Sequence, residues 1–319
     1  MADETADEDG VSDTGDAEDV AEDVEDSGSD SDSDSDADMD GDSDSDSDSD
    51  SLSSCCQGDF VVELPADVEL LSGCACITGD LKIGEESNYL WNDLLVEVDL
   101  GWLQHVGGAL GVRRNASLEE LDLGGLTFVG GEVELVDNPL LAELDLGGIE
   151  SVDSVLFLRD HALTDLSGLA SLAHLAEDLR IYDNDSLETL GGLEALTEID
   201  GSLRVRNNAS LVDSSGLGSL GWVGWDLEVS WNPLIDNVVL SELEGVGDDL
   251  WICGNASLGD FHFPALAEIG DELNVSWSVG LPACRVCDLI GQLDAQPATV
   301  EVQQLQDDEC WQGNDLICP

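Results

Sequence analysis

The side chains best suited to chemistry in this 319-residue chain are nine cysteines, eight basic residues, four histidines and 73 carboxylates. The cysteines divide by position into Cys55, Cys56, Cys74 and Cys76 near one end, Cys284, Cys287, Cys310 and Cys318 near the other, and Cys253 between them. Two sets of four with one thiol left over point to two disulfide-stapled ends in an oxidising compartment, each set allowing three connectivities. For the second set the alternative is a tetrahedral zinc cage started by Cys284-x-x-Cys287. The histidines, His105, His161, His174 and His262, follow no zinc-binding HExxH spacing, and no Gly-x-Ser-x-Gly elbow occurs. Gly216 to Gly221 fits a dinucleotide-binding glycine pattern, but it lies inside a leucine repeat with no βαβ unit around it. Lys82 is the sole lysine, which removes a Walker-type nucleotide site. No cofactor and no metal site is expected.

The net charge of −65 excludes nucleic acid as a partner, because a phosphate backbone is repelled. Residues 1–50 hold 24 Asp or Glu, no Lys or Arg, and no Ile, Leu, Phe, Trp, Tyr or Cys. Such a segment cannot bury a core, so residues 1–54 read as a disordered, self-repelling Ser/Asp tether. Weak, many-site binding of calcium is open to its hard carboxylate oxygens, and a solvating spacer is the plainer reading. No apolar run is long enough to cross a bilayer, so no transmembrane segment is expected, and no export signal is visible at Met1.

The rest of the chain is organised by a repeat of about 23 residues. Its first buried aliphatics are Leu110, Val133, Val155, Leu179, Leu203, Leu227, Leu250 and Leu273, with steps of 23, 22, 24, 24, 24, 23 and 23. An earlier copy starts at Leu81 and carries an insertion around 85–94. Each unit has a short alternating strand such as Leu203-Arg204-Val205-Arg206, then a second aliphatic series such as Leu118, Leu121, Leu123 and Leu126. A single coil of this kind cannot bury its own interior, whereas stacking completes the core and pairs the strands in parallel. The expectation is therefore an all-β solenoid of eight to nine coils over residues 79–283, between a Cys cap at 55–78 and another at 284–319.

A turn residue follows each strand: Asn115, Asn138, Asp160, Asn184, Asn208, Asn232 and Asn255, with Ser278 last. Asparagine tolerates left-handed backbone and bonds backbone groups at a corner, so a stacked ladder of turn residues is expected. Asn115, Asn184, Asn208, Asn255 and Asn274 also read Asn-x-Ser, but four of them sit where the turn itself requires Asn.

With the recurring G-x-L-x-I-x-x-N-x-x-L and the opening Cys74-Ala-Cys76-Ile77-Thr78-Gly79-Asp80-Leu81-Lys82-Ile83, residues 55–290 resemble the receptor L-domain group of leucine-rich-repeat-like proteins. They are similar above all to bacterial surface proteins that join such an array to an acidic tether. The resemblance implies a right-handed parallel β-helix with disulfide caps and an extracellular or envelope-surface binding role.

Strand alternation identifies an outward face carrying Lys82, Arg113, Leu156, Leu158, Arg180, Tyr182, Arg204, Arg206 and Trp251, with Arg114 and Arg159 at its margin. Cations interleaved with apolar and aromatic groups suit an anionic or sugar-like ligand. Alternatively the arginines pair with nearby acids, or the acidic tail docks on them. Asp80, Glu134 and Glu228, the acids of this face, are coils apart and do not converge as a catalytic pair must. The expected function is non-catalytic recognition or adhesion through a protein or glycan partner. The alternatives are a spacer without specific ligand and, further off, a parallel β-helix enzyme acting on polysaccharides.

Overall fold

The computed structural model describes residues 55–84, 90–306, 310–312 and 315–318, all within one compact unit, Ser47–Pro319. The acidic tether assigned to 1–54, and calcium binding by it, lie outside the described residues.

The unit is a parallel β-solenoid. Its main sheet has eleven strands in simple chain order: Phe60–Val62, Leu81–Gly84, Leu110–Arg113, Val133–Asn138, Leu156–His161, Leu179–Tyr182, Leu203–Arg206, Leu227–Ser230, Leu250–Cys253, Glu272–Ser276 and Thr299–Gln303. At about 4.8 Å per strand the sheet runs about 48 Å. Both caps therefore add a strand, and the sheet is longer than the eight or nine coils expected. In the eight strands from Leu81–Gly84 to Leu250–Cys253 the first and third side chains point inward and stack on their counterparts, as Leu179, Leu203 and Leu227 do, all fully buried. Burying one such leucine stabilises by about 1.5–3 kcal/mol, and every coil contributes several.

The second aliphatic series closes each coil in one of two ways, and the sequence decides which. In Glu120–Asp122 and Glu143–Asp145 the spacing Leu-x-Leu makes a short strand, which pairs in a three-stranded sheet with Glu97–Asp99. Where the spacing lengthens by one residue, a turn absorbs it: a 3-10 turn at Ser167–Leu169 after Leu166 and at Ser215–Leu217 after Ser214, and a plain turn between Leu190 and Leu193. A third run of short strands, Ser151–Val152, His174–Leu175, Glu198–Ile199, Trp222–Val223, Gly245–Val246 and Glu268–Ile269, forms a six-stranded sheet along another side.

The caps are built as the cysteine positions imply. Cys55 pairs with Cys76 and Cys56 with Cys74; Cys284 pairs with Cys310 and Cys287 with Cys318. A zinc cage at the second set is thereby excluded, because all four thiols are consumed. Among the described residues Cys253 remains a free cysteine. The helix Ala283–Gln292 lays Ala283, Val286, Cys287 and Leu289 over the last coil. No described helix is long and apolar enough to cross a membrane.

The coil of 156–161 corrects two expectations together. Leu156, not Val155, stands beside Val133 and Leu179 in the sheet. The step before it is 23 residues rather than 22, and a one-residue shift in a strand exchanges its two faces. Leu156 and Leu158, expected on the outer face, are 1% and 0% exposed and belong to the core. Phe157 and Arg159 take the outward places. By the same shift His161, not Asp160, is the turn-ladder residue: it pairs with Asn138, and its N–H donates to Asn184 Oδ1 at 3.0 Å.

Candidate functional site

The turn ladder is continuous and internal. The N–H of Asn115 donates to Asn138 Oδ1 at 3.1 Å, Asn184 to Asn208 Oδ1 at 3.1 Å, Asn208 to Asn232 Oδ1 at 2.9 Å and Asn232 to Asn255 Oδ1 at 2.9 Å. Each amide Nδ2 then donates one coil back, for example Asn232 to the Val205 carbonyl at 3.0 Å. Asn92, within the insertion, joins the ladder by pairing with Asn115. The left-handed backbone falls on the preceding residue rather than on the asparagine: Arg114, Asp137, Asp160, Asp183, Asn207, Trp231 and Trp277 have φ between 56° and 61°. Asn115, Asn184, Asn208 and Asn255 are buried with their amides engaged, so these four Asn-x-Ser sites serve the turn and are closed to sugar attachment.

The outward face of the main sheet carries two rows. One runs Lys82, Gly111, Glu134, Phe157, Arg180, Arg204, Glu228, Trp251; the other runs Gly84, Arg113, Val136, Arg159, Tyr182, Arg206, Ser230, Cys253. Lys82, Arg113, Arg180, Tyr182, Arg204, Arg206 and Trp251 thus lie where alternation puts them. At the centre Phe157 and Tyr182 meet edge to face, their ring centres 5.4 Å apart, and the Arg159 guanidinium stands 5.9 Å from the Phe157 ring centre. Sequence alternation missed Phe157 and put Arg159 only at the margin; a constant 23-residue count onward from Leu110 and Val133 reaches Leu156 and places both on the face.

Every arginine of this face already holds a carboxylate. Arg180 Nη2 lies 2.6 Å from Asp178, and Arg204 spans Asp178 at 3.2 Å and Asp226 at 2.7 Å. Arg159 lies 2.7 Å from Asp137 and 3.2 Å from Asp160, Arg206 lies 3.5 Å from Glu228, and Arg113 pairs with Glu134. Burial alone raises the Asp178 carboxyl, but the Ser202 N–H and the Arg180 and Arg204 guanidiniums outweigh it and hold it below the usual carboxylate range. Burial likewise opposes ionisation of Asp137, yet the bond to Arg159 wins and its carboxyl titrates low. Asp160 goes the other way, raised by burial and by Asp137 beside it. The Tyr182 hydroxyl is pushed up by burial. The face is therefore a neutralised lattice with aromatic rings at its centre, not a cationic stripe.

Two further features lie off the two rows of the main face. Glu97, Glu120 and Glu143 pair in register on the three-stranded sheet, as do Asp99, Asp122 and Asp145. Their 23-residue Glu-x-Asp recurrence was the available signal. A cavity of about 420 Å³ opens beside them, lined by Glu120, Asp122, Glu143, Asp145, Asp165 and Ser167. Desolvation, followed by repulsion from Glu97 and Glu143, raises the Glu120 carboxyl. Second, Trp231 and Trp277 share the corner position two coils apart, 49% and 48% exposed, with Gly254 between them and the Trp231 ring against it. Cys253 is mostly covered, and burial raises its thiol.

No protein-family model, curated protein or solved structure matches the chain.

Proposed function

We propose that this protein is a non-catalytic recognition module of the receptor L-domain type, secreted or displayed at a cell surface, and that the centre of its main sheet face binds a glycan. The observation that carries the reading is the Phe157–Tyr182 pair, held edge to face between ion-paired arginines. Aromatic faces pack against the C–H faces of sugar rings, and flanking guanidinium N–H groups reach hydroxyls. Because Asp137, Asp178, Asp226 and Glu228 already neutralise these arginines, the face favours a neutral or weakly charged saccharide over a polyanion. The half-exposed Trp231 and Trp277 extend the aromatic surface at the solenoid corner. Disulfides at both ends accord with an oxidising compartment.

Affinity electrophoresis across a panel of neutral and acidic polysaccharides tests this. The wild-type chain should be retarded by at least one neutral polymer, and Phe157→Ala and Tyr182→Ala should each weaken that binding about tenfold, or about 1.4 kcal/mol. Retention by a protein partner but no glycan would replace the ligand and keep the face if the same substitutions abolish it. Loss of neither on substitution, or no ligand at all, would leave the arginine–carboxylate lattice as a spacer's means of relieving its own charge.

A further inference from the structure

We propose that His174, Glu198 and Asp200 form a binding site for a zinc-class divalent transition metal on the six-stranded sheet, away from the glycan face. His174 and Glu198 are direct partners in the parallel pairing, and Asp200 stands at the bend just past the strand Glu198–Ile199, its N–H donating to the Leu175 carbonyl at 2.8 Å. One donor atom from each of the three lies within 4.8 Å of the others. His174 Nε2 and Asp200 Oδ2 are 3.3 Å apart. A charge-assisted hydrogen bond between such groups closes to about 2.7–2.9 Å. Two donors held about 2.1 Å from one tetrahedral ion stand about 3.4 Å from each other. A gap of 3.3 Å suits two ligands of one ion, and the paired strands with the Asp200–Leu175 backbone bond hold the chain that sets it.

The donor set selects the class of metal. One imidazole nitrogen with two carboxylates suits zinc and its first-row neighbours, whereas calcium seeks oxygen alone. All three side chains reach solvent, so an ion can enter and keep water in its remaining position. Trp222, next in the same row, lays its ring against Gly245 on the coil that follows. Asp248, Asp249 and Asp271 form the comparable group without an imidazole; that oxygen-only set has nothing to prefer zinc to calcium. Metal bound at His174 would tie the coil of His174 to the coil of Glu198 and stabilise the fold by mass action.

The test titrates zinc into the full chain by calorimetry in a large excess of calcium, which occupies the oxygen-only sites including the acidic segment. Wild type should retain one zinc equivalent and a zinc-dependent rise in melting temperature. His174→Ala should lower zinc affinity at least about tenfold, or about 1.4 kcal/mol, with an unchanged circular dichroism spectrum, while His262→Ala and Cys253→Ser should not. Cobalt in place of zinc should give visible ligand-field bands that His174→Ala removes. Equal isotherms for His174→Ala and His262→Ala, or displacement of all zinc by calcium in the wild type, would overturn the proposal. Neither result bears on the Phe157–Tyr182 face, so the two readings fail separately.

Discussion

His161 stands in an asparagine ladder and donates its backbone N–H to Asn184 Oδ1 at 3.0 Å, as Asn184 in turn donates to Asn208. Its Nε2 faces the Leu135 carbonyl at 2.9 Å, the place where asparagine Nδ2 reaches one coil back. The imidazole thus imitates the amide donor. It brings a titratable group into a position that is nearly closed to water.

Burial holds the His161 imidazole down to about 4, against an ordinary value of 6.5. Below pH 6.5 the unfolded chain takes up a proton that the folded chain refuses. Stability from this residue is therefore complete above pH 6.5 and is lost as pH falls toward 4, by about 3 kcal/mol in all. His161→Asn should remove that part of the acid sensitivity and keep the ladder. Urea denaturation of both proteins at neutral pH and near pH 4.5 measures the difference.

The face assignment of Leu156–His161 predicts opposite outcomes for neighbours. Leu158→Ala should cost about 2–5 kcal/mol because it opens a cavity in the stacked core. Phe157→Ala, on the outer face, should cost about 1 kcal/mol or less, the value of an aromatic contact beyond area burial. Equal losses in denaturant titrations would contradict the register.

Glu120 sits between Glu97 and Glu143 in register. Like charges directly opposite in a sheet are destabilising. Because its carboxyl is raised in the folded chain, ionising it costs stability as pH climbs through the carboxylate range. Glu120→Gln should raise the melting temperature at low ionic strength and neutral pH, and added salt should erase the gain.

Reduction should loosen both ends. Each cap cystine removed should cost about 2–4 kcal/mol, while Cys253→Ser should leave stability unchanged within error. A non-reducing peptide map should recover Cys55 with Cys76, Cys56 with Cys74, Cys284 with Cys310 and Cys287 with Cys318.

The periodicity of Leu110, Leu179 and Leu250 sufficed to place them on one axis, because a coil's interior tolerates little besides stacked aliphatics. The slip at Val155 arose where two adjacent aliphatics, Val155 and Leu156, both satisfied the pattern. Alternation cannot choose between them; the parallel dipeptides Asp137-Asn138, Asp160-His161 and Asp183-Asn184 could have done so. The sequence leaves the pairing of the arginines open, since Asp178 and Asp226 precede their strands and reach the face by side-chain direction alone. The His174, Glu198 and Asp200 cluster was hidden for a related reason. Its members are 24 residues or more from His174 in the chain, and the pairing of two short strands brings them together.

Ser214 interrupts the aliphatic row that runs through Leu166, Leu190 and Val238, and its hydroxyl is turned instead to the backbone at Asn237 and Val239. With covalent clasps at either terminus, fraying from the outside is suppressed. When this solenoid melts or is pulled, it should part first in its middle, at the seam beside Ser214.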